Sequence, residues 1–110
     1  MNERVAAGIL RYLEEDLLDY PYALQIVEEE MNTFDFKKKK ELLDEVLIGL
    51  ALEDKIIIGE YMGPDEVKPW FQDITENITE FKKRMSTFTS MEKVDFIWIG
   101  LPTQHFRGLI

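Results

Sequence analysis

The sequence predicts an α+β fold, and three observations carry that prediction. Leu42, Leu43, Val46, Leu47, Leu50 and Ala51 recur at helical spacing and form one apolar stripe. That helix runs through Glu53 and Asp54 straight into Lys55-Ile56-Ile57-Ile58, a β-branched run that favours a strand. A second strand-like run, Val94-Asp95-Phe96-Ile97-Trp98-Ile99, lies towards the C-terminus. A long helix followed at once by a strand needs cover, which the flanking helical patterns supply.

The 110 residues fit one domain spanning 1–110, and 45% hydrophobic content is enough to bury a core. The first helix is expected over Glu3 to Leu18, where Val5, Ile9, Leu13 and Leu17 step by four and Leu10 widens the stripe. Asp19-Tyr20-Pro21 breaks it, because proline disfavours a helical residue before it and suits a new first turn. The second helix runs from Pro21 to Met31, with Leu24, Val27 and Met31 on one side and Tyr22 and Ile26 near it. Asn32-Thr33 makes a short turn, and either Thr33 or Asp35 caps the third helix.

The strand Lys55–Tyr61 should end in the turn-forming Gly59–Gly63 and Pro64-Asp65 region. Val67 to Phe71 reads as irregular, since Pro69 argues against a central strand. Ile74, Ile78, Phe81 and Met85 define a fourth helix over Gln72 to Met85, and Ser86 to Ser90 is a polar link holding Phe88. Val94–Ile99 is then the partner strand, antiparallel to Lys55–Tyr61, with Trp98 on one face and Ile97 and Ile99 on the other. The tail forms a short closing turn near Thr103. Three helices joined by short turns and followed by strands are the order of a helix-turn-helix with a wing. The predicted domain is therefore winged-helix-like, with a two-stranded antiparallel wing that carries a helical insertion.

Composition excludes several classes. No run of eighteen apolar residues is present to span a membrane, and the N-terminal apolar positions are broken by Arg11, Glu14, Glu15 and Asp16, unlike a signal peptide. There is no cysteine, hence no disulfide framework or thiolate nucleophile, and a cytoplasmic location is expected. Without secretion, the Asn77-Ile78-Thr79 sequon is a chance match. His105 is the single histidine, with no patterned partner, and no zinc-protease, phosphate-loop, nucleophile-elbow or dinucleotide motif occurs. Glu14, Glu15, Asp16 and Asp19 lack the alternating loop spacing of calcium sites. No enzyme activity, cofactor or metal is expected.

Net charge is −9 and is unevenly placed: within residues 1–36 two arginines stand against nine acids, a net −7. Such a surface repels phosphate backbones and attracts a basic partner. Glu14, Glu15 and Asp16 sit at the C-terminal end of the first helix, where the helix dipole disfavours them. With Asp19, Glu28, Glu29 and Glu30, and with Tyr20 and Tyr22 flanking the proline turn, they form a tyrosine-plus-carboxylate patch suited to a basic protein. The bland reading of the same residues is a solvated acidic face and two tyrosines stapling a turn.

Lys37, Lys38, Lys39 and Lys40 offer the alternative, a nucleic-acid contact at the start of the third helix. Glu41, Asp44 and Glu45 follow one turn later, and no arginine or asparagine in that helix could make bidentate base contacts. The lysines can instead meet Glu41 and Asp44 at i,i+4.

ELLDEVLIGLALEDKIIIGEY, KPWFQD with its following helix, and DFIWIGLPTQHFRGLI, with Trp98, Thr103 and Gly108, resemble the pattern of small uncharacterised acidic bacterial winged-helix-like proteins. The resemblance covers the chain from about Leu24 onward. It implies a winged-helix-like domain in a group where DNA binding is often not evident and where some members sit in toxin–immunity settings. The combined expectation is a non-enzymatic protein-binding module, an immunity or inhibitor protein that neutralises a basic toxin. The alternative is a dimeric winged-helix transcriptional regulator using Lys37–Lys40, and a third reading is a homodimerising module using the exposed face of the fourth helix.

Overall fold

A computed structural model describes residues 1–87 and 97–104. In chain order the elements are α1 (Glu3–Leu13), β1 (Leu18–Asp19), α2 (Tyr20–Met31), α3 (Phe36–Leu52), β2 (Ile57–Gly63), β3 (Glu66–Lys68), α4 (Ile74–Ser86) and β4 (Trp98–Gly100), with a 3-10 turn at Pro102–Gln104. The strands form one antiparallel sheet in the order β1-β4-β2-β3. The fold is thus α+β, as expected.

Each helix opens on a short polar side chain that accepts from an amide three residues on. Asn2 takes the Val5 N–H, Asp19 that of Tyr22, Asp35 that of Lys38 and Asp73 that of Glu76. Such caps contribute about 1 kcal/mol each. Of the two expected caps for α3, Asp35 is the one used, and α4 starts two residues later than Gln72 because Asp73 caps it.

The main departure is the end of α1. The stripe Val5, Ile9, Leu13 and Leu17 suggested helix to Leu18, yet the helix stops at Leu13. The amides of Glu15 and Asp16 both turn back to the Tyr12 carbonyl, and the Asp16 carboxylate accepts from the Leu17 N–H at 2.7 Å. Three consecutive acids at a helix C-terminus oppose the dipole, so termination there relieves them. Leu17 and Leu18 are buried all the same, because extended backbone carries them into the sheet, where Leu18 pairs with Ile99.

The sheet is also larger than expected. Glu66–Lys68 is a strand paired with β2, not irregular chain, and the sheet has four strands where two were predicted. Pro69 follows immediately, and because β3 is an edge its missing N–H costs no ladder bond. Gly59 lies inside β2, so the turn begins at Pro64-Asp65, with Asp65 at φ 63°. In β4, Ile97 precedes the strand and is buried like Ile99, while Trp98 faces the other way, half-buried against Tyr61 at 5.0 Å. Residues 94–96 of the predicted strand, the Phe88 link and the tail from His105 lie outside the described residues.

The core is one continuous cluster joining α1 (Val5, Ile9, Leu13), α3 (Leu43, Val46, Leu47, Leu50), Ile56 just before β2, β2 itself (Ile58) and α4 (Ile78, Phe81, Met85). Asn77 is the buried polar residue among them. Its Nδ2 donates to the Ile58 carbonyl at 2.8 Å and its Oδ1 accepts from the Phe71 N–H at 3.0 Å, which ties the β3–α4 loop to β2. The sequon asparagine is therefore enclosed and fully engaged. Asn77→Ala is expected to cost about 2–4 kcal/mol, since it strands two buried backbone groups; chemical denaturation measures it.

Candidate functional site

Two stripes at helical spacing meet across the α1–α2 pair. Gly8, Arg11, Tyr12 and Glu15 recur at i, i+3, i+4 and i+7, and Tyr22, Ile26, Glu29 and Glu30 at i, i+4, i+7 and i+8. They line an open groove of about 260 Å³. Gly8 keeps it open: a Cβ there would stand 3.0 Å from Ile26 Cγ2 and 3.7 Å from Glu30 Cγ. The Tyr12 and Tyr22 rings lie 4.8 Å apart at 38°, and Tyr22 remains 45% exposed. The Tyr12 hydroxyl is pushed up from its ordinary value, first by burial and then by Asp16, Tyr22, Asp19 and Glu15. Burial is the larger cause of that shift, and the nearby acidic groups add to it in the same direction.

The acidic residues predicted from sequence do not act alike. Glu28 forms an ion pair with Lys39 at 3.0 Å and links α2 to α3. Glu30 meets Arg4 at 3.8 Å. Asp19 and Asp16 spend one oxygen each on backbone amides. Glu14, Glu15 and Glu29 are exposed and have no ion pair among the described residues. Those three are the uncompensated part of the face.

Tyr20 requires a correction. It was expected beside Tyr22 at the surface, but its side chain is fully buried and its hydroxyl donates to Asp44 Oδ1. Position 20 opens α2 directly after β1, where the Tyr20 amide bonds the Ile97 carbonyl, so the ring turns inward under α3. Lys40 Nζ holds the other Asp44 oxygen at 3.0 Å. Burial pushes the Asp44 carboxyl up, against the opposing pull of Tyr20 and Lys40, and burial with the Asp44 charge pushes the Tyr20 hydroxyl up. A carboxyl raised in the folded state binds its proton more tightly there than in the unfolded chain, so its contribution to stability is greatest at low pH and falls as pH rises through the raised value. Asp44→Asn keeps an acceptor for Tyr20 and should flatten that slope, whereas Asp44→Ala leaves the buried hydroxyl unpaired and should cost about 1–3 kcal/mol. Thermal melts of the variants between pH 3.5 and 7 check both.

The lysine run is likewise divided. Lys39 and Lys40 are tied to Glu28 and Asp44, so Lys37 and Lys38 are the members without an ion pair among the described residues. Glu41 and Glu45 share the exposed face of α3 with them. The exposed positions of α4 are polar apart from Ile74.

A second cleft, of about 330 Å³, lies between the end of α3, β2 and the start of α4, lined mainly by Ile56, Ile57, Ile58, Phe71, Ile74 and Ile78. Its buried amide, Asn77, is already engaged on both sides. Among the described residues no helix is long and apolar enough to cross a membrane, and no three metal-ligating side chains are grouped to hold an ion.

No family model, curated protein or solved structure matches this chain. Function is therefore argued from the site alone. Gly8, Arg11, Tyr12 and Ile26 are the lining residues that sequence reasoning did not assign to the site. The signal was present in the i, i+4, i+7 register shared by Gly8, Tyr12 and Glu15 and by Tyr22, Ile26 and Glu29, but which helix faces meet depends on the turn between them.

Proposed function

We propose that this protein is a non-enzymatic binding module whose α1–α2 face receives a basic protein, in the manner of an immunity or inhibitor protein covering the cationic surface of a toxin. One observation carries the reading: Glu15 and Glu29 line a groove walled by Tyr12 and Tyr22, Glu14 is exposed next to Glu15 in sequence, and none of the three has an ion pair among the described residues. Uncompensated like charges on one face gain most when an oppositely charged partner arrives, and they steer its approach. Tyrosine beside them supplies apolar contact area at little entropic cost. Size exclusion of the protein with the product of an adjacent gene should yield a stoichiometric complex at low and at moderate salt. A neighbour that is acidic, or that elutes separately in both buffers, would count against the proposal.

The strand order favours a second reading. A strand between α1 and α2 pairs with β4, and β4 pairs with β2; β3 and α4 then sit between the two wing strands, as in a winged helix with an insertion. A regulator of that type would bind DNA through the start of α3. With half of the lysine run already ion-paired, DNA retention should be weak and lost by about 150 mM salt. Retention that persists there and disappears in a Lys37→Ala/Lys38→Ala variant would make this the better reading.

A further inference from the structure

We infer that the α1–α2 groove is a receptor for a single arginine side chain of the partner, with the guanidinium against Tyr22 and between the carboxylates of Glu15 and Glu29. The inference rests on the protein-binding reading above and names the chemistry of the contact. Groove size comes first. At about 260 Å³ it falls below the roughly 300–1,000 Å³ of small-molecule pockets, and it is open along one side. That suits the end of one long side chain, not a ligand to be enclosed or a helix to be laid in.

Charge complementarity selects a cation. Glu15, just past the end of α1, and Glu29, on α2, both line the groove, neither has an ion pair among the described residues, and Glu30 is held only at 3.8 Å by Arg4. Aromatic geometry selects among cations. The Tyr12 ring supports the Tyr22 ring at 4.8 Å, and Tyr22 stays 45% exposed. A guanidinium is planar, weakly hydrated and stacks on such a ring while its fork donates to carboxylates; an ammonium does only the second well. Arg11 lines the same groove and is itself a cation. It offsets part of the negative charge of Glu15, Glu29 and Glu30, so it should weaken binding.

The test is an amide-resolved NMR titration of the whole protein with three blocked tripeptides, Gly-Arg-Gly, Gly-Lys-Gly and Gly-citrulline-Gly, at 100 mM salt. The arginine probe should shift the amides of Gly8, Tyr12, Tyr22 and Ile26 in a saturable manner. Its affinity should exceed that of the lysine probe roughly threefold or more, and the uncharged citrulline probe should not bind. Tyr22→Leu should remove the preference for arginine over lysine, Glu29→Gln should weaken both, and Arg11→Gln should tighten both. All three positions are on the surface, so the variants fold, as their amide spectra will show. Equal binding of the arginine and lysine probes, or shifts spread along the acidic face without focus on the groove, would overturn the arginine receptor while leaving the broader protein-binding reading untouched. A partner complex that survives charge reversal at Glu15 and Glu29 would also overturn the receptor, even where the free arginine probe binds, because those carboxylates are the ones the partner's arginine must meet.

Discussion

Replacing Glu14, Glu15 and Glu29 with lysine is expected to abolish association with the basic partner, lowering affinity by a hundredfold or more. The three side chains are exposed carboxylates of the face that have neither an ion pair nor a side-chain hydrogen bond among the described residues, so reversal turns attraction of the partner into repulsion. Association should slow as well, since steered encounters run to about 10⁸–10⁹ M⁻¹s⁻¹ and unsteered ones to about 10⁵–10⁶. The folded state should respond in the opposite direction. Glu14 and Glu15 follow the last turn of α1, where basic residues are favoured by about 0.3–1 kcal/mol each. A variant that melts slightly higher yet no longer binds would show that the acids are kept at a local cost to the helix. Stopped-flow association and a thermal melt on the same sample separate the two effects. A variant with unchanged binding would reduce the acidic face to a solvated surface.

Gly59→Ala is expected to be the most damaging glycine-to-alanine change among the described residues. A Cβ at position 59 would lie 2.0 Å from the Lys68 carbonyl oxygen and 2.7 Å from Pro69 Cα. The obstacle is backbone at the end of the neighbouring strand β3, which has no rotamer by which to escape. Overpacking costs reach about 3 kcal/mol or more when the surroundings cannot yield. For a domain of this size that lowers the melting temperature by roughly 12 °C or more. Gly100→Ala is the control. Its nearest neighbours are side-chain atoms of Val67, Leu17 and Gln104 at 3.0–3.2 Å, which can move by a few tenths of an ångström. It should cost about 1 kcal/mol. Similar melting temperatures for the two variants would show that β3 yields as readily as a side chain.

These two positions mark what sequence can and cannot carry. Gly59 reads as turn punctuation, because a glycine in a β-branched run near Gly63 and Pro64 usually is that. Its actual role, letting the Lys68–Pro69 backbone cross closely, depends on a hairpin that folds back over it. α2, α3 and the body of β2 were readable because each is long enough to show a period or is capped by an aspartate in register. β1 was not, since two residues have no period, and Leu17 and Leu18 extend the stripe of α1 even though they leave the helix. Tyr20 was misjudged for a related reason. Beside Pro21 and Asp19 it looks like turn chemistry, and only the α2–α3 packing brings Asp44 within reach of its hydroxyl. The acidic face was evident from charge alone. Its division into spent acids (Glu28, Glu30, Asp16, Asp19) and free ones (Glu14, Glu15, Glu29) required knowing where Lys39, Arg4 and two backbone amides fall.

The most direct measurement is a paired affinity isolation from the native cell. Wild-type protein and the Glu14→Lys/Glu15→Lys/Glu29→Lys variant are used side by side after nuclease treatment, and bound proteins are quantified by mass spectrometry. The account predicts one basic protein retained near stoichiometry by the wild type and depleted at least tenfold on the variant. Equal retention on both, or retention that vanishes with nuclease treatment, would contradict it.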